Sequence, residues 1–489
     1  MSLPLCTSSE KRQPDRGRQQ KKGSGRAGTL LKTWAWGILG LAGVAAFAGV
    51  ALGSFGGIAQ ARQAERTQRF PNVLIITIDT LRADRVSGFG YRRPTTPHLD
   101  KLLASGVRFR QARTVEPLTN PALCSLFTSS YPHEHGATRN GLRMRPGLPS
   151  LASTLGRRGF RTAAFVGNWT LRNEISGLGE HFDRYDEVLN RKRWYGLFAG
   201  EATAEDLTDS ALSWLDDHRK NHRRPFLLWV HYVEPHAPYR LQEDFARRLG
   251  VATRGDASKS DRYDTEIAFA DYHAGRLLSV LEADPALQAN TLVIFTADHG
   301  ESLGEHSYWG HGRNLYDPTL RIPLGMAWPG RIRPGVIEAP AFTLDVAPTT
   351  LGLAGLPVPG AFQGYDWTPV IEGREAPRER VLRFEAHKGA VLSSQEAASA
   401  RRKGLLEVAL LSGGQKEIFR VNEGKRWIFD LTKDPRELRG RLVTGKGPSP
   451  PLRDWLAGVH RGLEASDRVL TADVDPEDVE QLRALGYVD

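Results

Sequence analysis

Cysteine is almost missing. Cys6 and Cys124 are the only two in 489 residues, so neither a disulfide framework nor a cysteine-lined zinc cluster is available. Internal repeats are lacking, which removes solenoids and arrays. A second long apolar run is also lacking, so the chain is not a many-pass membrane protein. Basic charge is scarce away from the first residues. The net charge is +10, yet residues 1–32 hold eight Lys/Arg against two Asp/Glu. More than half of the excess therefore sits in a short tail, and no nucleic-acid partner is expected. What remains is ordinary for a large globular core, with 40% hydrophobic and 25% charged residues.

A long uncharged stretch directly after the tail explains it. From Thr33 to Ala59 no charged residue occurs, a stretch that as a helix spans a bilayer core of about 30 Å. Lysines and arginines before it favour the cytoplasmic side, and Trp34 and Trp36 suit an interfacial belt. Ala59-Gln60-Ala61 leaves a cleavable signal peptide as the alternative. The expected organisation is a basic cytoplasmic tail (1–32), a transmembrane signal-anchor (33–59), a linker (60–70), an α/β domain (71–375) and a C-terminal antiparallel subdomain with a terminal helix (376–489). The α/β domain would then lie outside the cytoplasm on a single-pass anchor in the cell membrane, on the periplasmic side in a Gram-negative cell.

Four continuous apolar runs read as strands buried on both faces: 72–79, 162–166, 226–231 and 291–298. Helical stretches lie between them at 98–103, 148–158, 203–218 and 264–282. The βα rhythm predicts an α/β fold with a mostly parallel sheet sandwiched by helices. From about 376 the pattern changes to short alternating strands, at 380–394, 405–412, 417–421 and 426–429, with a last helix near 475–485.

Three of the buried strands finish in metal-ligand residues: Asp79, then His231 with His236 beyond it, then Asp298-His299. Ligands gather at the carboxyl ends of strands in such sheets, so these termini should converge on one crevice. Thr119 stands just ahead of a helix that Asn120 would cap and Pro121 would begin. Its hydroxyl would face an anionic group favoured by the helix N-terminus. Arg82, Arg139 and Arg143 are candidates for orienting an anionic substrate.

The strings PNVLIITIDTLRADRVSGFGY, TNPALCSLFTSSYPHEHG, GFRTAAFVGNW, HYVEPHAPY and TLVIFTADHGESLGEH resemble the sulfatase family of the alkaline phosphatase superfamily. The similarity runs from about 70 to 440 with order and spacing kept. It implies an α/β core with a smaller antiparallel subdomain, and a divalent metal held by Asp79, the nucleophile, Asp298 and His299. It also implies that His236 contacts the leaving-group oxygen, and that His311 touches the non-bridging oxygens or a second metal. His231, Arg139 and Asn168 are the expected substrate-binding residues.

The departures from the family pattern sharpen the reading. Sulfatases of the usual kind oxidise a Cys or Ser in C/S-x-P-S-R to formylglycine, whereas the matching residues here are Thr119-Asn120-Pro121-Ala122-Leu123. No formylglycine is expected, and Cys124 is expected to be a buried apolar side chain. The usual G-K-W-H-L-G reads Gly167-Asn168-Trp169-Thr170-Leu171-Arg172, and the second Asp of the first strand is Thr80. DHGESLGE followed by His311 is instead similar to phosphoethanolamine transferases, which use a zinc-bound threonine. Zinc is therefore the expected metal, with manganese or calcium as alternatives.

The expected function is metal-dependent hydrolysis of an anionic sulfate or phosphate ester on a glycan, lipid or small molecule. Thr119 would be the metal-bound nucleophile, and phosphate esters would be preferred. Two rivals stand beside it: a phosphoethanolamine-type transferase of the envelope, and a catalytically silent metal-binding protein of the same fold.

Overall fold

The apolar runs that end in acids and histidines become neighbouring strands. In the computed structural model, residues 70–189, 191–193, 198–253, 255–389, 404–445 and 447–465 are described. The main sheet is built from β1 (Asn72–Ile78), β2 (Val107–Arg113), β3 (Arg161–Val166), β4 (Arg184–Glu187), β5 (Phe226–Tyr232), β6 (Thr291–Ala297), β7 (Leu324–Ala327) and β8 (Gly335–Phe342). Their order is β8-β2-β7-β6-β1-β5-β3-β4, and only β7 runs antiparallel to its neighbours. Every residue of β1, β5 and β6 is buried, as continuous apolar runs require when helices cover both faces.

Register decides where the chemistry falls. Ile78 lies opposite Ala297 on one side and Tyr232 on the other, and Thr77 lies opposite His231. The next residues of β1 and β6 are Asp79 and Asp298, so two acids from distant segments leave the sheet side by side.

The helices over the sheet carry the signals that their sequences suggested. The helix α1 (Ala204–Asn221) starts at Thr203, whose side chain accepts from the Asp206 N–H while Asp206 reaches back. Ser258 and Asp261 repeat that capping box at α2 (Lys259–Glu282). The predicted span 264–282 thus sits inside its observed helix, and 203–218 begins at the cap of the other. Four strands of the sheet escaped the sequence reading: half-polar β2, the largely exposed edge strand β4, four-residue β7 and bulged β8.

The second sheet is antiparallel throughout, in the order β9 (Leu382–His387), β10 (Leu405–Ser412), β11 (Gln415–Arg420), β12 (Lys425–Asp430) and β13 (Arg441–Val443). Phe384, Ala409, Ile418 and Phe429 share one apolar cluster with Val115, Leu315, Leu320 and Phe342 of the larger body. Burying these side chains fixes the small sheet beside the segment that leads to Thr119. A helix at Pro450–Ala465, absent from the sequence reading, packs Leu452, Val459 and Leu463 onto it. Among the described residues no helix is long and apolar enough to cross a membrane. The predicted span 33–59 and the predicted helix near 475–485 both lie outside the described residues.

Candidate metal centre

Asp79 follows β1 directly, and the next residue is strained. Thr80 has φ +55°, a left-handed conformation that a β-branched residue adopts only under constraint. Two contacts impose it: the Thr80 N–H donates to Asp298 Oδ1 at 3.0 Å, and the Tyr263 hydroxyl donates to the Thr80 carbonyl at 2.7 Å. The turn throws the Asp79 carboxylate across the sheet edge. On the neighbouring strand, Gly300 lets the chain pass so close that a Cβ would lie 2.2 Å from the Pro318 carbonyl oxygen. Only glycine fits there, and the tight passage fixes His299.

Thr119 comes from the other side of the crevice. Its helix spans Thr119–Thr128, beginning earlier than Pro121. The expected Asn120 cap does not form. Asn120 Nδ2 donates to the Leu142 carbonyl, and its Oδ1 accepts from the Cys124 thiol. Cys124 itself is buried, as expected. Leu118 occupies the cap position without a side-chain bond. The Thr119 hydroxyl is thus not engaged in capping and lies 3.3 Å from His299 Nε2.

Three oxygen donors surround that nitrogen. His299 Nε2 is 3.4 Å from Asp298 Oδ2 and 3.9 Å from Asp79 Oδ1, besides its contact with Thr119. Ligands bonded at about 2.1 Å to one tetrahedral ion stand roughly 3.4 Å apart, so the spacing fits a divalent cation. Asp79 Oδ1 and Asp298 Oδ2 are buried with no hydrogen-bond partner, which is costly unless a ligand reaches them. Asp79, Asp298 and His299 form one of two groups among the described residues that could hold a metal.

The electrostatics say the same. Burial pushes the Asp79 carboxyl up to about 7, although His311 and Asn168 oppose it. Asp298 is driven well above the carboxylate range by burial and by Asp79 beside it. His299 is held well below the usual histidine value by burial and by the positive field of His311. Two acids that resist ionisation next to a neutral imidazole are what a cation would relieve.

The remaining histidines line the mouth. His231 places Nδ1 2.8 Å from the Thr77 hydroxyl and Nε2 3.6 Å from Asp79 Oδ2, and burial lowers it to about 4. The His311 ring is tilted by 40° against that of His299 with ring centres 4.4 Å apart, and the His236 ring lies 5.3 Å from that of His311. Burial works against a charge on His311, but Glu301, 3.0 Å from its Nδ1, more than offsets this and raises it. Glu301 was not singled out from the sequence, although it directly follows Asp298-His299-Gly300. A cavity of about 530 Å³ opens beside His311, lined by Leu118, Tyr239, Lys259, Glu301 and Trp309.

Two expected substrate contacts are differently placed. Asn168 spends its amide on the site itself: Nδ2 donates to Asp79 Oδ2 at 2.6 Å, and Oδ1 accepts from the Thr170 N–H and hydroxyl. It orients a ligand rather than reaching outward. Arg139 is turned away toward the Gly389 carbonyl, at 3.3 Å, and toward the charge of Glu116. Arg82 is bound by Asp84 and Glu305, and Arg143 by Glu180 and the Asn173 carbonyl. Internal acids and carbonyls claim these guanidinium groups.

The sulfatase family profile matches residues 71–356, which contain both acids, Thr119 and the histidines at 231, 236, 299 and 311. The chain belongs to the sulfatase family. With membership comes the reaction class, hydrolysis of a sulfate ester, in a family that binds a divalent metal. Among sulfatases of known name, it is 25% identical to the N-acetylglucosamine-6-O-sulfatase of Bacteroides thetaiotaomicron, covering 77% of this chain and 83% of that protein. It is also 25% identical to the choline-sulfatase of Rhizobium meliloti, over 81% and 88%. Among solved folds, a protein in complex with its substrate D-glucosamine-2-N,6-O-disulfate aligns with TM-score 0.61 and 21% identity, covering 84% of this chain and 99% of that one. The phosphonate monoester hydrolase of Agrobacterium radiobacter aligns with TM-score 0.60 and 19% identity, over 82% and 97%.

Proposed function

We propose that this sulfatase-family chain is a threonine-dependent esterase that cleaves an anionic phosphate ester in preference to a sulfate ester. The observation that carries it is the Thr119 hydroxyl, 3.3 Å from His299 Nε2, beside two partnerless carboxylate oxygens of Asp79 and Asp298. Asp79, Asp298, His299 and Thr119 would hold the divalent cation, with zinc best suited to the mixed oxygen and imidazole set. When bound, that cation supplies Lewis acidity, favouring the ionised hydroxyl and offsetting charge on the ester oxygens.

The chain's own groups divide the remaining work. Thr119 Oγ1 attacks the phosphorus or sulfur, a bond forms there, and the bond to the leaving-group oxygen breaks. His311, beside Glu301, and His236 next to it would face that oxygen, and one of them would deliver the proton it needs. The helix beginning at Thr119 adds N–H dipoles under the anionic group. Water then attacks the covalent ester on Thr119, and phosphate leaves. A threonine has no aldehyde hydrate with which to expel sulfate from such an ester, which supports the preference for phosphorus. The 530 Å³ cavity would take the leaving group, and residues 33–59 would tether the enzyme outside the cytoplasm.

The test compares the purified protein with its Thr119→Ala variant on aryl phosphate mono- and diesters and an aryl sulfate, with metal content measured in parallel. Metal-dependent phosphoester turnover lost at least about 10³-fold in Thr119→Ala is the expected result. Sulfate turnover that survives the substitution would remove Thr119 from the mechanism. Covalent capture of the phosphoryl group by an added amino alcohol, faster than by water, would favour transfer to an acceptor over hydrolysis.

A further inference from the structure

A second buried cluster lies just before the nucleophile and takes no part in that reaction. Glu116, three residues ahead of Thr119, faces the end of β9. Its Oε1 accepts the His387 N–H at 2.9 Å, and its Oε2 lies 2.9 Å from His387 Nδ1. Burial and Glu385 hold Glu116 well above the usual carboxylate range; in its ionised form it offers only acceptors, which leaves His387 with its proton on Nδ1 and a lone pair outward on Nε2. That nitrogen stands 4.0 Å from Glu385 Oε2. Both atoms are buried with no hydrogen-bond partner, and both residues are 0% exposed. Two acceptors face each other across a closed space, beside a second carboxylate.

One ligand atom from each of Glu116, Glu385 and His387 lies within 4.8 Å of the others. Outer groups hold them in place. His133 Nδ1 lies 2.5 Å from Glu385 Oε1, and Arg139 acts electrostatically on Glu116. Such supporting contacts orient the ligands of a metal site. We propose that Glu385 and His387, the imidazole held by Glu116 at its other nitrogen, bind a second divalent cation of the zinc or manganese class, distinct from the one at Asp79 and Asp298. A carboxylate and an imidazole with no thiolate are donors that suit such ions. The consequence is mechanical. Glu385 N already donates to the Val115 carbonyl, so a cation here would rivet β9 to the segment that sets Thr119.

The full chain, freed of loosely held metal on a chelating resin and reloaded with zinc, is measured for bound metal by mass spectrometry. Two equivalents are expected in the wild type, one in His387→Gln and one in Asp298→Asn. A wild type with a single equivalent that Asp298→Asn abolishes overturns the proposal. So does a second equivalent that His387→Gln leaves in place. Should His387→Gln fail to fold, anomalous diffraction at the zinc edge from wild-type crystals decides the matter. A peak between Glu385 Oε2 and His387 Nε2 supports the site, and a second peak at His236 and His311, or none, refutes it.

Discussion

Two buried acidic groups of this molecule face opposite surroundings. At the junction of the two sheets, Asp317 takes both nitrogens of a fork from Arg113, at 3.0 and 2.7 Å, and Lys416 Nζ at 3.0 Å. Arg113 and Lys416 hold its carboxyl well below the usual range, against the opposing effect of burial. At the sheet edge, Asp79 and Asp298 meet only each other, amide and hydrogen-bond donors, and histidines. Both are pushed up, chiefly by burial. The first cluster carries its own counter-charges and serves to join the two sheets. The second has its charge left open, and an open buried charge marks a place for something that arrives.

The comparison predicts opposite signs for the same chemical change. Asp298→Asn should abolish tight metal binding and lower turnover about 10³-fold. In chelator, however, it should stabilise the protein by ~1–3 kcal/mol, because one of two mutually repelling acids is gone. Asp317→Asn should do the reverse, leaving Arg113 and Lys416 buried without their partner and costing about 3–5 kcal/mol. Urea unfolding of both variants with and without metal measures the four values. Equal destabilisation by the two substitutions would erase the distinction.

Much of the edge was legible because strands buried on both faces announce themselves as apolar runs, and their last residues name the crevice. Asp79, His231, Asp298 and His299 follow from that pattern alone. What stayed hidden depends on contacts between distant segments. The fork of Arg113 on Asp317 joins residues 204 positions apart. The pairing of Glu116 with His387 joins residues 271 positions apart. Strand β2 was missed because its exposed Arg110 and half-buried Gln111 break the apolar run that buried strands show. Asn120 was misread as a cap because local preference is a weak guide where Leu142 and Cys124 compete for its amide.

Stability against pH sharpens the contrast further. In the metal-free protein Asp79 has a folded pKa of about 7 against an ordinary value of 3.8. Between those values the folded state binds more protons than the unfolded one. Stability should therefore fall as pH rises from about 4 to 7, by a few kcal/mol, and level off above. Asp298 adds to the fall. Asp317, whose folded value is depressed, loses its contribution only as pH drops below the ordinary carboxylate range. Thermal unfolding in chelator across this range should show the decline, and saturating zinc should cancel it. A metal-free curve that is flat from pH 4 to 7 would mean that the edge already contains its counter-charge.

The smallest expected effect concerns Asn168, and it separates two roles for one side chain. Its Nδ2 donates to Asp79 Oδ2 at 2.6 Å, so it steadies the carboxylate whose other oxygen has no partner. Asn168→Ala should weaken metal affinity by about 10-fold to 100-fold, the range for losing a group that orients a ligand. Excess zinc should then restore most of kcat with KM little changed. A substrate-binding Asn168 makes the converse prediction: unchanged metal affinity, and a raised KM that no amount of zinc corrects. The amide is already bonded at both ends, Nδ2 to Asp79 and Oδ1 to Thr170, which favours the orienting role. Metal titration of Asn168→Ala, followed by kinetics at saturating zinc, distinguishes the two.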